Sequence, residues 1–326
     1  MEKPDLYPLQ FEPILKYRLW GGEKLKNKLG KPTDQEKIGE SWEISAVRGD
    51  ESVVSHGPLA GVSLPDLIDR YGEQLLGENV WKTYGREFPL LIKFIDAATP
   101  LSIQVHPDDA TARRKHNSYG KNEMWYIMDS DPDAEIIVGF NKPLDQESYA
   151  TLVEHGDLES HMNKIAVREG DAFFIPTGRV HAIGAGVTLA EIQQSSDVTY
   201  RIYDYDRVDE TTGGKRELHT LEALEVMDFT VHKDYGTSYL KTPQQNHPLI
   251  HNTYFKTDFV KITERYEDDL TALKSLVIYM CVSGSAELVY SDTSYLLETG
   301  STIMIPACIG SLILNSTNAK LLKVYM

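Results

Sequence analysis

Two segments of the chain repeat one pattern, and that repeat constrains the fold more than any other feature. The first runs Gly170-Asp-Ala-Phe-Phe-Ile-Pro176-Thr-Gly-Arg-Val-His181, the second Gly300-Ser-Thr-Ile-Met-Ile-Pro306-Ala-Cys-Ile-Gly-Ser311. Each reads Gly, five residues, Pro, four residues, then a polar side chain, with an apolar run between the Gly and the Pro. Each also follows a strand-like stretch, at 123–128 and at 277–284. A unit that occurs twice implies two related β modules built on one plan.

The rest of the chain agrees with a mainly β class. Short runs bounded by turn residues predict strands at 89–94, 101–105, 124–128, 134–139, 172–175 and 188–193, then at 259–263, 276–282, 286–290, 302–305 and 320–324. Helices enter as insertions. Ser63 is placed to cap one that carries Leu67, Ile68, Tyr71, Leu75 and Leu76 at helical spacing, and 110–116, 145–155 and 218–227 read as others. The stretch 234–252 mixes Gly, Pro, Asn, Gln and Ser without periodicity. We place a linker there, between a unit at 1–233 and a smaller one at 253–326.

Composition narrows the partners. The 326 residues hold 33 basic and 49 acidic side chains, a net charge of −16. Such a surface repels nucleic acid and anionic membrane, so an anion site must be locally basic. There is no apolar run of about 18 residues, so no membrane-spanning helix is expected. No apolar stretch follows the charges near Met1, so no secretory leader is expected. Cys281 and Cys308 sit in apolar stretches and read as buried, reduced thiols of a cytoplasmic protein.

The Gly-x5-Pro-x4-His spacing is that of the second cupin motif, so the chain resembles a cupin. The resemblance implies two jelly-roll β-barrels or sandwiches with helical insertions. In the C-terminal copy the His position is Ser311, a poor metal ligand, so that copy is expected to lack a metal site. In the first copy, Gln104-Val-His106 lies on an expected strand, and period two puts Gln104 and His106 on one face. Glu123 opens the next strand and His181 closes the motif. One amide oxygen, two imidazoles and one carboxylate suit a single Zn²⁺ with open positions, and equally Fe²⁺, Mn²⁺ or Co²⁺.

Further tokens, in order, are similar to type I mannose-6-phosphate isomerase in its shorter form. They are Arg18-Leu-Trp20-Gly-Gly, Gly39-Glu40-Ser-Trp42, Pro89-Leu-Leu-Ile-Lys93, Leu101-Ser102-Ile-Gln104-Val-His106-Pro-Asp108, Lys121-Asn-Glu123-Met-Trp, and Glu191-Ile-Gln-Gln-Ser-Ser-Asp197-Val-Thr-Tyr-Arg201. The resemblance implies a metal on Gln104, His106, Glu123 and His181. It implies a catalytic arginine at Arg201, active-site lysines at Lys93 and Lys121, active-site acids at Glu40, Glu191 and Asp197, and pocket positions at Trp20 and Ser102. The implied activity is metal-dependent exchange of mannose 6-phosphate with fructose 6-phosphate, by a monomer or homodimer. The chain departs from the longer members at Gly120-Lys-Asn-Glu, where they carry His-Lys-Pro-Glu, and at Ile183, where they carry an aromatic residue.

Aldose–ketose exchange moves a proton from carbon 2 to carbon 1 through an enediol. Glu191 is the first candidate for the base, Lys121 or a metal-bound water the next. Arg201 suits the enediolate oxygen or the phosphate. Glu191 and Arg201 are ten residues apart, so an unbroken strand would turn both to one face. Two rivals stay open, an iron-dependent cupin oxygenase and a cupin that binds sugar without catalysis. Gln104, where such oxygenases carry His, speaks against the first; the lysines, Glu191 and Arg201 beside the ligands speak against the second.

Overall fold

Alternation along the strands sorts this chain into layers. The computed structural model describes residues 5–209 and 213–326. In chain order the strands are β1 (Ile14–Gly22), β2 (Ile38–Ile44), β3 (Ala46–Val47), β4 (Asp50–Glu51), β5 (Leu90–Ala97), β6 (Ile103–Val105), β7 (Glu123–Ser130), β8 (Glu135–Phe140), β9 (Met162–Ala166) and β10 (Ala172–Ile175). They continue with β11 (His181–Ile183), β12 (Val187–Gln194), β13 (Tyr200–Tyr203), β14 (Asn246–His251), β15 (Lys256–Ile262), β16 (Tyr266–Asp269), β17 (Val277–Tyr290), β18 (Thr293–Glu298), β19 (Thr302–Ile305) and β20 (Ser311–Tyr325).

Three open sheets carry the molecule. One has the order β1-β2-β5-β12-β7-β10, a second β13-β6-β11-β8-β9, and a third β14-β15-β20-β17-β18, with β16 and β19 paired to β20 and β17. The six-stranded sheet lies in the middle. Its Ile92, Phe94, Met124, Tyr126 and Ile192 face a core shared with the helix Leu64–Tyr71 and with Ile278, Met280, Leu322 and Val324 of the third sheet. Its opposite face sets Ile95, Trp125 and Leu189 against Ile136, Val138 and Ile183 of the five-stranded sheet. The five-stranded sheet is covered in turn by Tyr149, Leu158 and Ala223 from the helical insertions. Each such side chain, fully buried, contributes about 1.5–3 kcal/mol.

The sequence repeat is a structural repeat. Gly170 and Gly300 both take φ near +90°, at 86° and 91°, a turn conformation that a side chain would strain. β10 and β19 follow at matching offsets, and β10 pairs with β7 as β19 pairs with β17. The ladders then fix equivalent positions: Ile175 faces Glu123 as Ile305 faces Val277, and Glu191 lies between Lys93 and Trp125 as Lys323 lies between Asp258 and Tyr279. His181 and Ser311 each begin a strand, but His181 is buried and Ser311 exposed.

Most expected elements are present with boundaries shifted by a few residues. Ser63, Asp108 and Asp145 each accept a bond from the backbone N–H three residues on and cap the helices Leu64–Tyr71, Asp109–His116 and Gln146–His155. The aperiodic stretch 234–252 holds more order than its composition suggests. It contains β14, and the N–H of Thr237 donates to Ala172 O at 2.8 Å. Cys281 is buried as expected, but Cys308 lies in a turn after Pro306 and is exposed. No helix among the described residues is long and apolar enough to cross a membrane.

Candidate metal centre and active-site cleft

The central sheet and the five-stranded sheet each send one row of polar side chains into the space between them. On the central sheet Glu191 of β12 is laddered between Lys93 of β5 and Trp125 of β7, and Trp42 of β2 lies opposite Lys93. On the facing sheet Gln104 of β6 is laddered between Arg201 of β13 and His181 of β11. Period two turns Ile92 and Phe94 into the core and leaves Lys93 for the cleft. Lys93 is thus a buried mid-strand residue rather than a solvated strand end.

His106, Glu123 and His181 converge, with one ligand atom from each within 4.8 Å of the others. His106 Nε2 lies 3.2 Å from Glu123 Oε1 and His181 Nε2 lies 3.7 Å from Glu123 Oε2. The Gln104 amide lies 3.3 Å from His181 Nε2, and a half-turn of that amide presents its oxygen at the same place. Four atoms about 2.0–2.1 Å from one tetrahedral ion stand about 3.3 Å from each other; the 3.2 and 3.3 Å separations meet that spacing, and the group as a whole, within 4.8 Å, is somewhat wider. The outer nitrogens agree. His106 Nδ1 donates to Val198 O at 3.1 Å and His181 Nδ1 to Arg179 O at 2.8 Å, which leaves both Nε2 lone pairs directed inward. The four residues therefore fit a divalent metal.

Electrostatics favour the same state. Burial, with Lys121 nearby, depresses the His106 pKa to about 3, and burial lowers that of His181, so both imidazoles are neutral. Burial works to raise Glu123, but the Lys121 ammonium beside it draws its pKa well down and holds the carboxylate ionised. Its Oε1 accepts no well-directed hydrogen bond, although Lys121 Nζ stands 3.0 Å away.

Gln104 also lines a cleft of 360 Å³. It is lined by every residue expected to meet the substrate: Trp20, Glu40, Lys93, Ser102 and Asp197, together with Lys121, Glu191 and Arg201. Lys93 Nζ sits 3.0 Å from Glu191 Oε1, and Trp125 Nε1 donates to Glu191 Oε2 at 3.0 Å. Burial and the neighbouring Glu123 raise the Glu191 pKa against the pull of Lys93. Glu40 accepts two bonds from Arg18, at 3.0 and 2.9 Å, and one from Trp42 Nε1 at 2.6 Å. Arg216, also in the lining, donates two bonds to Asp204. Arg201 spends Nη1 on Glu217 O at 2.8 Å, makes no ion pair among the described residues, and has a buried Nε without a partner.

The single-strand expectation for Glu191 and Arg201 is corrected. β12 ends at Gln194 and β13 begins at Tyr200 in the other sheet, so the two reach the cleft from opposite walls. Among the lining residues given no role from sequence are Arg18, Trp42 and Arg216. Trp42 was legible, two residues beyond Glu40 on the same strand face; Arg216 comes from a loop with no local signal.

A family model for the catalytic domain of type I phosphomannose isomerase matches residues 9–142. The mannose-6-phosphate isomerase ManA of Bacillus subtilis is 35% identical over 311 residues, spanning 93% of this chain and 94% of its own. The mannose-6-phosphate isomerase of Streptococcus mutans is 34% identical over 305 residues, spanning 93% and 94%. The crystal structure of mannose 6-phosphate isomerase from Bacillus subtilis superimposes with a TM-score of 0.89 at 31% identity, over 98% of this chain and 99% of that one. A cleft built from these two sheets and a likeness that runs nearly end to end lead to one assignment: the chain belongs to the type I mannose-6-phosphate isomerase family.

Proposed function

We propose that this protein interconverts mannose 6-phosphate and fructose 6-phosphate through an enediol, with one Zn²⁺ held by Gln104, His106, Glu123 and His181. The observation that carries the proposal is the convergence of two neutral imidazoles and an ionised carboxylate around Gln104, which itself lines a cleft whose walls supply a base and an arginine without an ion-pair partner among the described residues. When bound, the metal supplies a Lewis acid that favours negative charge on the sugar oxygens.

The chain's own residues divide the remaining work. Glu191, its pKa raised by burial, takes the proton from carbon 2 of the open-chain aldose. The C2–H electron pair forms the C1–C2 double bond, and the carbonyl pair moves to O1. The O2 proton then passes to O1 and Glu191 returns its proton to carbon 1, which gives the ketose. Lys121 is the alternative base. Lys93 and Lys121 face carboxylates at 3.0 Å, so their charge is already balanced. The substrate anion therefore meets Arg201, with Trp20, Ser102, Glu40 and Asp197 around the sugar.

The same reading takes the two sheet assemblies as cupin jelly rolls. Residues 1–233 form the catalytic unit, 234–252 the connection, and 253–326 a unit without metal ligands. It places the protein in the cytoplasm as a monomer or homodimer. A coupled assay on mannose 6-phosphate, with metal analysis of the same sample, tests the reading. Turnover should vanish on chelation and return with added zinc, and His181→Ala should fail to retain metal. Full activity in verified metal-free protein, or no isomer exchange by the metal-loaded protein, would sink it.

A further inference from the structure

The three segments that carry His106, Glu123 and His181 meet at one buried amide that none of the chemistry above uses. Asn122, which precedes Glu123, is 5% exposed, and Gln194, at the end of β12, is 3% exposed. Asn122 Nδ2 donates to Gln194 Oε1 at 2.7 Å, and the Asn122 backbone N–H donates to the same oxygen at 3.0 Å. The Gln194 backbone N–H donates back to Asn122 O at 3.1 Å. Asn122 Oδ1 accepts from the N–H of Thr177, in the turn between β10 and β11 that leads to His181, at 3.1 Å. Gln194 Nε2 donates to Asp109 Oδ1 at 3.1 Å, three residues beyond His106, and that oxygen also accepts from Gly120 N at 2.8 Å.

Two primary amides thus tie together four pieces of chain: the approach to Glu123, the turn before His181, the helix start after His106, and the end of the strand that bears Glu191. The Asn122 and Gln194 side chains are joined by a directed hydrogen bond, which sets direction and distance between their segments. A ligand set needs its atoms held to within about 0.5 Å, and outer partners of ligands commonly govern affinity by about 10–100-fold.

We propose that Asn122 and Gln194 are positioning residues for the metal centre, which set the mutual placement of the His106, Glu123 and His181 segments. The inference rests on the metal-centre reading above. The test uses full-length protein stripped with chelator and titrated with zinc against a chromophoric competitor, beside the thermal midpoint of the metal-free form. Asn122→Ala and Gln194→Met should each weaken zinc by about 10–100-fold. The double variant should be weakened by less than the product of the two single effects, because both changes break the Asn122–Gln194 bond. Variants whose metal-free midpoint falls while zinc affinity stays within twofold of wild type would show a structural role only and overturn the proposal. If Asn122→Ala does not fold, Asn122→Asp decides by the same criterion, since it keeps an acceptor for Thr177 N and loses the donor to Gln194. Failure of the wild type to bind zinc at all overturns the metal-centre reading itself, a result distinct from equal affinities.

Discussion

Replacing Glu40 by Gln tests how the cleft stores charge. Glu40 is 8% exposed and is gripped by both arms of Arg18 and by Trp42. Burial pushes its pKa up, but Lys93 and Arg18 outweigh burial and carry it from 4.5 down to about 2. A carboxylate depressed on folding stabilises the fold above its unfolded pKa, and that contribution is lost as pH falls toward the folded value. A depression of this size corresponds to about 3 kcal/mol at neutral pH. Arg18 is one-third exposed, so solvent screens its share and the figure is a ceiling. Between pH 7 and pH 3.5 about 1.4 kcal/mol of the contribution should disappear. Urea unfolding followed by tryptophan fluorescence, on wild type and Glu40→Gln at both pH values, measures it. The variant should be the less stable at pH 7, and the gap should narrow toward pH 3.5. A gap that stays constant or widens as pH falls would refute the argument, because Gln cannot titrate and only the charge on Glu40 makes the difference pH-dependent.

Other consequences are checked as directly. Arg201→Ala should lower kcat/KM by about 10²–10³-fold in the coupled assay, with a thermal midpoint close to wild type, since the guanidinium is aimed at the cleft and supports little packing. Lys31 Nζ donates to Glu43 Oε1 at 2.6 Å and to Gly300 O at 2.7 Å, with both side chains 7% exposed. Lys31→Met should therefore destabilise by about 3–5 kcal/mol in denaturant unfolding, because it strands the Glu43 carboxylate where the central sheet meets the third. One thiol per native chain, Cys308, should react readily with a colorimetric disulfide reagent. Cys281, buried and with its pKa pushed up to about 12 by burial, should react only on unfolding.

The sequence made the candidate metal centre legible because each candidate ligand stood in a local context with a fixed geometry. Gln104 and His106 share a strand face, Glu123 opens a strand, and His181 closes a motif whose Gly and Pro set its turns. The strand-borne wall was legible for the same reason, since parity alone places Glu40 with Trp42 and Lys93 away from Ile92. Less could be read where chain connectivity breaks parity. Five residues between β12 and β13 carry Arg201 to the opposite sheet, which no periodicity announces. Polar, aperiodic composition also hid β14, because a strand at the margin of a sheet needs no apolar alternation to pair. Cys308 looked apolar by its neighbours, yet the Pro306 turn that the repeat itself demands brings it to the surface.

The register that relates the two repeats shows how differently equivalent positions are filled. Where the first copy has Glu123, the second has Val277 deep in an apolar core, and the Lys93–Glu191 order of charges is inverted into Asp258–Lys323. Lys323 Nζ is locked to both Asp268 oxygens at 2.8 Å, and Tyr279 donates to Asp268 at 2.6 Å, so that interior is sealed shut. A histidine placed at Ser311 would start from an exposed position and find Val277 where the first copy has Glu123. Building a metal site into the second copy would therefore require replacing a whole layer of side chains, not one residue.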